Sequence, residues 1–456
     1  MSEWKTVKIG DICKIVKGTT GIASAEPGQY PLVVTAEERK TCSTYQFDCE
    51  AVCIPLVSSS GHGKKSLKNV HYQSGKFALG TILCAVIPNN PQELDARYLH
   101  QYLQFYKDII LVPLMKGAAN VSLSMKDILA VEFPLPPIER QKELSNLFVS
   151  LQEKQKELSA EYEKQTEYAK LLRQNILQQA IEGKLTADWR KQNPVQKGNP
   201  DYDAEALFEQ IQKEKYHTDS ILLTQNQDKK KKGKSLDFPN PCDNEEKPFA
   251  IPDGWKWVRL GELSISSMAG KSFACEGRAV TANEWGIIKT SAITSGIFVE
   301  SENKFYSETK PIETFTKINS GDFLFCRASG SKGLAGKSCI VEKINSNLLL
   351  SDKSIRIELY PEIKTHYINM LNNSFYGDNY RLSLETNKST TMNNLTREQI
   401  LNFVVPLPPL AEQKEIVTRV EKNLQTVSDL ENQITEREQL TKQLMQSILK
   451  DAFEEK

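Results

Sequence analysis

Two stretches of the chain place apolar residues at alternating spacings of four and three. The first runs Leu144, Phe148, Leu151, Gln155, Leu158, Tyr162, Gln165, Ala169, Leu172 and Ile176. The second runs Ile416, Val420, Asn423, Val427, Leu430, Ile434, Arg437, Thr441, Leu444 and Ile448, with polar breaks at Asn423 and Arg437. This is the heptad stripe of a helix with a narrow apolar seam and charged flanks. No proline interrupts Ile138–Gln192 or Leu410–Lys456, so each stretch predicts a helix of ~44 residues, about 66 Å long. So narrow a seam needs a partner along its length, and each helix is the obvious partner of the other. The alternative is two helices that pack separately on their own globular domains. Elsewhere the pattern mixes periods. Phe77–Ile87 and Ser354–Tyr360 read as strands, and Ala96–Tyr106 and Lys364–Phe375 as short amphipathic helices. Ser124 and Thr396 look like N-caps of a further short helix. The fold class is α+β.

The chain repeats itself. WKTVKIGDI (4–12) is matched by WKWVRLGEL (255–263) at an offset of 251, and LSMKDILAVEFPLPPIERQKEL (123–144) by LTREQILNFVVPLPPLAEQKEI (395–416) at an offset of 272. Two matches in the same order indicate duplication, with extra loop length in the second copy. The boundaries follow: globular domains at 1–133 and 255–405, long helices within 134–185 and 406–456, and a link at 186–254. Within the link, Ala204–Lys215 reads as a short helix. The run Lys229–Lys232 with Lys234 reads as a solvated linker.

Composition marks an ordinary soluble protein, 39% hydrophobic and 25% charged over 456 residues. No apolar run approaches the ~18–20 residues needed to cross a bilayer, and the N-terminus lacks a signal-peptide core, so a cytoplasmic location is expected. Nine cysteines without a CxxC pair are expected to be reduced and mostly buried. A net charge of zero hides an uneven distribution. Residues 51–92 contain no acid but carry Lys64, Lys65, Lys68 and Lys76, and residues 323–341 contain Arg327, Lys332 and Lys337, again with no acid. The last 51 residues balance this with ten acidic against seven basic side chains.

Catalytic motifs fail on inspection. SGSKGLAGKS (329–338) lacks the first glycine of a phosphate-binding P-loop, which would fall at Ser331. Asp352, Glu362 and Lys364 have the spacing of a nuclease metal set, but a solvated strand end and turn is the better reading. No methyltransferase [DN]PP[YF] loop is present, and the five histidines form no HxH or HExxH pair. No catalytic residue and no metal site is therefore assigned. What remains is a pair of loops. LVSSSGHGKKSLKNV (56–70) and FCRASGSKGLAGKSCIV (325–341) occupy equivalent places, near an offset of 269. Each combines glycines, small hydroxyl side chains and spaced cations, the residue types that let a backbone approach phosphate and let side chains reach phosphates or a guanine edge. The candidate DNA contacts are Ser60, His62, Lys64, Lys65 and Lys68 in the first loop, and Arg327, Ser329, Ser331, Lys332 and Lys337 in the second.

The W-x-x-[VI]-x-[IL]-G-[DE]-[IL] opening, the PLPP-[IL]-x-x-Q helix starts and their ordered repetition resemble the specificity subunits of type I restriction–modification systems. GKLTADWRKQNP (183–194) and AEALFEQIQKEK (204–215) are similar to members of that family as well. One departure is that the LTADWR segment is not repeated after the second long helix. The resemblance implies two duplicated α/β target-recognition domains joined by two long antiparallel coiled-coil helices that act as a spacer. It implies a non-catalytic subunit that reads a bipartite site on double-stranded DNA, docks two adenine methyltransferase subunits and joins restriction subunits. S-adenosylmethionine, ATP and magnesium would then sit on those partners, with no cofactor on this chain and no membrane contact. Two rival readings are a coiled-coil scaffold that binds proteins only and a nuclease fragment.

Overall fold

A computed structural model describes residues 4–60, 63–225, 247–307, 312–384 and 393–454. The chain forms two compact units, one comprising Met1–Gln165 with Ile434–Lys456 and the other Thr166–Gln433. The long helices, Ile138–Ile181 and Leu410–Glu454, each contribute to both.

In the first unit, strand Lys5–Lys8 pairs antiparallel with Glu132–Leu135, Lys5 opposite Leu135. In the second, Lys256–Arg259 pairs with Val404–Leu407, Lys256 opposite Leu407. The two sequence matches are therefore partners in space: each copy is closed by pairing its opening strand with the strand that leads into its long helix. Beside this pair stands a four-stranded antiparallel sheet. In the first unit its order is Cys13–Lys17, Leu83–Pro88, Ala51–Pro55, His71–Gln73; in the second, Ser264–Ala269, Ser354–Leu359, Phe323–Cys326, Ser338–Ile340. A second small sheet packs against it. In the first unit it contains Tyr30–Val33 parallel to Lys76–Leu79, and in the second Trp285–Ile288 parallel to Asn347–Leu349.

Strand Ala51–Pro55 is apolar throughout because both its faces are covered. Val52 and Ile54 meet Tyr98, Leu99 and Leu103 of helix Ala96–Ile110, while Ala51 and Cys53 meet Val33, Phe77 and Leu79 of the small sheet. The expected single strand Phe77–Ile87 is instead two. It breaks at Gly80–Ile82, and Lys76–Leu79 serves the small sheet while Leu83–Pro88 serves the large one. Leu83 N–H turns back to the Gly80 carbonyl at 3.0 Å. Lys364–Phe375 also shortens: the helix runs Thr365–Asn372, and a separate helix, Phe375–Leu384, follows. The caps form as expected, Ser124 accepting from the Asp127 N–H at 3.0 Å and Thr396 from the Gln399 N–H at 3.1 Å.

The PLPP-x-x-x-Q motif is explained by burial. Gln141 and Gln413 are fully buried. Gln141 Nε2 donates to the Pro136 carbonyl at 2.8 Å, and Gln413 Nε2 to the Pro408 carbonyl at 3.0 Å. The first proline of each motif accepts from a tyrosine on the covering helix, Pro134 O from Tyr98 at 2.9 Å and Pro406 O from Tyr367.

Each long helix ends in the core of the unit built on the other copy. Ala180 and Ile181, closing the first helix, lie among Ile416, Val420, Tyr367 and Leu407 in the second unit. At an offset of 272 they correspond to Ala452 and Phe453, and Phe453 is buried among Tyr98, Phe133 and Phe148 in the first unit. Within the second unit Arg173 bonds Ser428 and Glu431, at 3.1 and 3.0 Å. Within the first, Tyr162 and Thr441 share a hydrogen bond of 2.9 Å. In each unit residue numbers rise on one helix as they fall on the other, so the local pairing is antiparallel.

The seam departs from the expected heptads toward the C-terminus. Ile416, Val420 and Val427 are buried, but Leu430, Leu444 and Ile448 are exposed, and Met445, Leu449 and Phe453 carry the burial instead. A straight α-helix drifts ~20° per heptad against a 3.5-residue repeat. From Ile416 to Ile448 that amounts to about 90°, close to the ~100° between neighbouring residues. The buried stripe accordingly moves on by one position.

The segment Ala204–Lys215 belongs to a longer helix, Ala204–Gln225, whose Ala204, Leu207 and Ile211 are fully buried in the second unit. The lysine run at 229–234 lies outside the described residues. Eight cysteines are described, all unpaired, six of them buried, and burial pushes the Cys13, Cys84 and Cys339 thiols up to about 12. No described helix is long and apolar enough to cross a membrane.

Candidate nucleic-acid interface

At one end of the large sheet, strand Ala51–Pro55 runs out into the loop 56–70, and three other segments meet there. Leu56 N–H bonds the Ile82 carbonyl at 2.8 Å, Leu123 N–H bonds the Leu56 carbonyl at 2.9 Å, and Gly18 N–H bonds the Leu83 carbonyl at 2.9 Å. The loop is stapled by its own serines. Ser58 Oγ donates to the Lys64 carbonyl at 2.5 Å and accepts from the N–H groups of Ser60 and Ser66, at 3.3 and 3.2 Å. Ser60 Oγ and Ser66 Oγ are 2.8 Å apart, and Ser59 Oγ accepts the Lys68 N–H at 2.9 Å. Gly63 has φ +73°, and a Cβ there would sit 2.4 Å from the Ala118 carbonyl oxygen, so glycine both turns the loop and lets it approach the neighbouring turn.

This scaffold leaves the lysines outside. Lys64, Lys65 and Lys68 are exposed; Lys65 Nζ reaches the Pro113 carbonyl at 3.4 Å, and Lys64 and Lys68 have no side-chain partner among the described residues. Ser60 is exposed but bonded within the loop. His62 lies outside the described residues. Lys116, from the adjoining turn, is exposed on the same rim and paired with Asp127 at 3.2 Å.

The second unit builds the same rim differently. Ala328–Ser329 pairs with Asn393–Asn394, where the first unit has an isolated bridge between Val57 and Ser122. Leu395 N–H bonds the Arg327 carbonyl at 2.9 Å, as Leu123 does Leu56. The strand registers match at an offset of 271, with Ile54 opposite Cys84 and Phe325 opposite Ile355; the loops superpose at that offset rather than at 269. Between paired strands the second loop has eleven residues, 327–337, against fifteen, 56–70, in the first.

Its candidate contacts separate into two groups. Arg327, Ser331 and Lys332 are exposed, and the two cations have no side-chain partner among the described residues. Ser329 is buried and accepts the Ser331 N–H at 3.1 Å. Lys337 is drawn inward: its Nζ lies 2.7 Å from Asp378, which also pairs with the buried Arg381. Burial, then the Arg381 charge, hold Lys337 below the usual lysine range. Lys337 thus ties the loop to helix Phe375–Leu384, and Gly336, at φ +85°, makes room where a Cβ would come 2.5 Å from Arg381 Cδ.

Several residues at this rim were not legible as site residues. Gly18 and Gly270 stand at equivalent strand ends, and a Cβ at either would fall 2.2–2.3 Å from the carbonyl oxygen of Gly80 or Ser351. Their one sequence signal is the offset of 252, next to that of the opening motif. Four lysines, Lys271, Lys289, Lys304 and Lys353, line a cleft in the second unit and are scattered over 83 residues of sequence.

The rejected catalytic patterns do not assemble. Asp352 precedes strand Ser354–Leu359 and Glu362 follows it, so six residues of extended chain, ~20 Å, stand between them. Glu362 accepts from Gln210 instead, at 3.3 Å. The P-loop-like stretch runs into strand Ser338–Ile340 rather than a helix. Among the described residues no group of three or more His, Cys, Asp or Glu side chains could hold a metal.

The family model described as the type I restriction modification DNA specificity domain matches residues 1–167 and 252–440. The specificity subunit of the type I restriction enzyme EcoEI of Escherichia coli is 32% identical over 271 residues, 59% of this chain and 42% of that protein, so the match spans less than half of its length. The EcoDI specificity subunit, also of Escherichia coli, is 24% identical over 99% of this chain and 88% of its own. Among solved structures, a chain from a study of type I R-M system assembly and conformational transition has a TM-score of 0.60 at 18% identity, covering 99% of this chain and 97% of that one. The HsdS subunit from Thermoanaerobacter tengcongensis has a TM-score of 0.53 at 17% identity, with coverages of 99% and 96%. These two likenesses are of fold.

Proposed function

The chain belongs to the type I restriction–modification DNA specificity family, and from that premise we propose that it is the non-catalytic subunit that reads a bipartite site on double-stranded DNA, one half with each copy. The observation that carries the reading is the duplicated rim. In both units the same end of the same sheet presents a glycine-containing loop with exposed cations, Lys64, Lys65 and Lys68 in one and Arg327 and Lys332 in the other. Such cations supply affinity through phosphates, while hydroxyl groups and backbone N–H position the protein on the duplex.

The long helices set the spacing between the half-sites and, with nearby surfaces, dock two adenine methyltransferase subunits; restriction subunits join the same complex. S-adenosylmethionine, ATP and magnesium belong to those partners, and this chain holds no cofactor of its own. The complex works on DNA in the cytoplasm.

Sequencing the methylated adenines of a host that carries this protein with its methyltransferase partners tests the reading. Two short defined sequences separated by a constant number of unread base pairs are expected. Exchanging residues 255–405 for those of a relative should change one half-site and leave the other as it was. A continuous motif, or methylation without any motif, overturns the proposal. Failure of the assembled complex to shift duplex DNA would favour a scaffold that binds proteins only.

A further inference from the structure

The N–H of Arg327 donates to the Lys353 carbonyl at 2.7 Å, which joins the candidate loop of the second unit to a solvent-open cleft of about 550 Å3. The cleft lies where the ends of the two sheets meet. Lys271, Lys289, Lys304 and Lys353 line it, with Asp352 as the acid among the lining side chains. Lys271 is steadied by Glu313 at 2.5 Å and Lys289 by Glu302 at 3.4 Å. Lys304 is exposed and Lys353 half-buried, and neither has a side-chain hydrogen bond or ion pair among the described residues. Gly270 makes the juxtaposition possible. Its N–H bonds the Ser354 carbonyl at 3.1 Å, and a Cβ in its place would lie 2.3 Å from the Ser351 carbonyl oxygen. The strand end therefore closes on the turn that carries Lys353.

The first unit has the same architecture without this charge. Leu32 opposes Lys40 where Ile287 opposes Lys304, and Leu32 runs beside Ala78 where Ile287 runs beside Leu349. Carried through these registers, Lys271 corresponds to Thr19 or Thr20, Lys289 to Val34, Lys304 to Lys40 and Lys353 to Ile82. One lysine stands where the second copy has four. The loops differ less: Lys64, Lys65 and Lys68 are exposed on the longer first loop, and Arg327 and Lys332 on the second, where Lys337 is tied to Asp378.

We infer that the two copies grip the phosphate backbone differently: the second adds this cleft, with Lys304 and Lys353 as phosphate contacts, to the cations of its loop, and the first relies on its loop lysines. The inference rests on the proposed DNA reading and adds where each copy makes its salt-dependent contacts. A lysine–phosphate contact releases counterions, so each one lost should flatten the plot of log affinity against log salt by ~0.9.

The test uses the full chain assembled with its methyltransferase subunits and a duplex carrying the methylated motif. The double variant K304A/K353A should reduce the salt slope by ~2 without altering the preferred bases, whereas K40A should leave the slope as in the wild type. Phosphate-ethylation interference on the wild-type complex, which requires no variant to fold, should show inhibition at phosphates contacted by the second copy that have no counterpart around the first half-site. An unchanged slope in the double variant, equal flattening by K40A, or interference patterns symmetric about the two half-sites would overturn the inference while leaving DNA recognition intact. A wild-type complex that shows no sequence preference would instead remove the reading beneath it.

Discussion

The side-chain carbonyl of Gln141 accepts the backbone N–H of Asp95 at 2.8 Å, and Asp95 in turn caps helix Ala96–Ile110 by accepting from the N–H groups of Arg97 and Tyr98. One glutamine at the start of the long helix thereby fixes the start of the helix that covers the sheet; Gln413 does the same through the Lys364 N–H at 2.9 Å. Gln141 also donates to the Glu93 and Pro136 carbonyls, both at 2.8 Å. Replacing it with leucine leaves the buried Pro136 carbonyl and the partly buried Asp95 N–H and Glu93 carbonyl without this partner, at roughly 1–3 kcal/mol for each that water does not reach. Gln141→Leu should therefore lower the stability of the first unit by about 3 kcal/mol or more, read as an earlier urea transition.

Phe453 anchors the C-terminal helix in the first unit. It is 3% exposed and its ring lies within 6.5 Å of those of Tyr98, Tyr102, Phe105, Tyr106 and Phe148. Phe453→Ala should cost about 3–5 kcal/mol. Hydrogen exchange should rise in helix Ala96–Ile110 as well as at the helix end; a rise confined to the last turn would show that the contact is not integral to the core.

On the proposed reading the exposed cations of the two loops contact DNA, whereas Lys337, paired with Asp378, supports its loop. Lys64→Ala with Lys65→Ala, or Arg327→Ala with Lys332→Ala, should flatten the salt dependence of DNA binding by up to ~2 in log–log slope. Lys337→Met should behave otherwise, lowering the melting temperature through the loss of its bond to Asp378 and leaving the slope unchanged. Salt titrations of binding beside melting curves separate the two effects.

Matched insertions of seven residues in both long helices keep the apolar seam while adding ~10 Å of helix. At ~3.4 Å per base pair the preferred spacer should lengthen by about three pairs, with both half-sites retained. Methylome sequencing reads this directly, and an altered half-site would contradict the spacer role.

His71 adds a pH dependence. It is 5% exposed, its Nδ1 lies 3.2 Å from Arg39, and burial, then Arg39 and His100, push its pKa down to about 4. The folded unit favours the neutral imidazole, so its contribution is complete above the unfolded value of ~6.5. It fades as pH falls from there toward 4, by up to about 3 kcal/mol. His71→Gln should flatten the stability profile between those values; a profile as steep as the wild type's would assign the loss to other groups.

Much of this protein is a property of chain order and could be read from it. The duplication, the helices that begin at the PLPP motifs, the Ser124 and Thr396 caps and the two glycine-rich loops rest on local propensity, periodicity or repetition, and these act between residues close in sequence or at a constant offset. The tertiary structure decided what depends on distant neighbours. Leu444 and Met445 are both apolar, and the drift of a straight helix against its partner buried Met445. Phe77–Ile87 is a continuous apolar run, and the turn at Gly80, against which Gly18 packs, shares it between two sheets. Lys332 and Lys337 are both lysines in one loop, and Asp378, forty-one residues after Lys337, withdraws the second from solvent. The lysine cleft has no sequence signature at all, because its four side chains meet only when separate strands and turns are folded to one rim, and charge acts across space rather than along the chain.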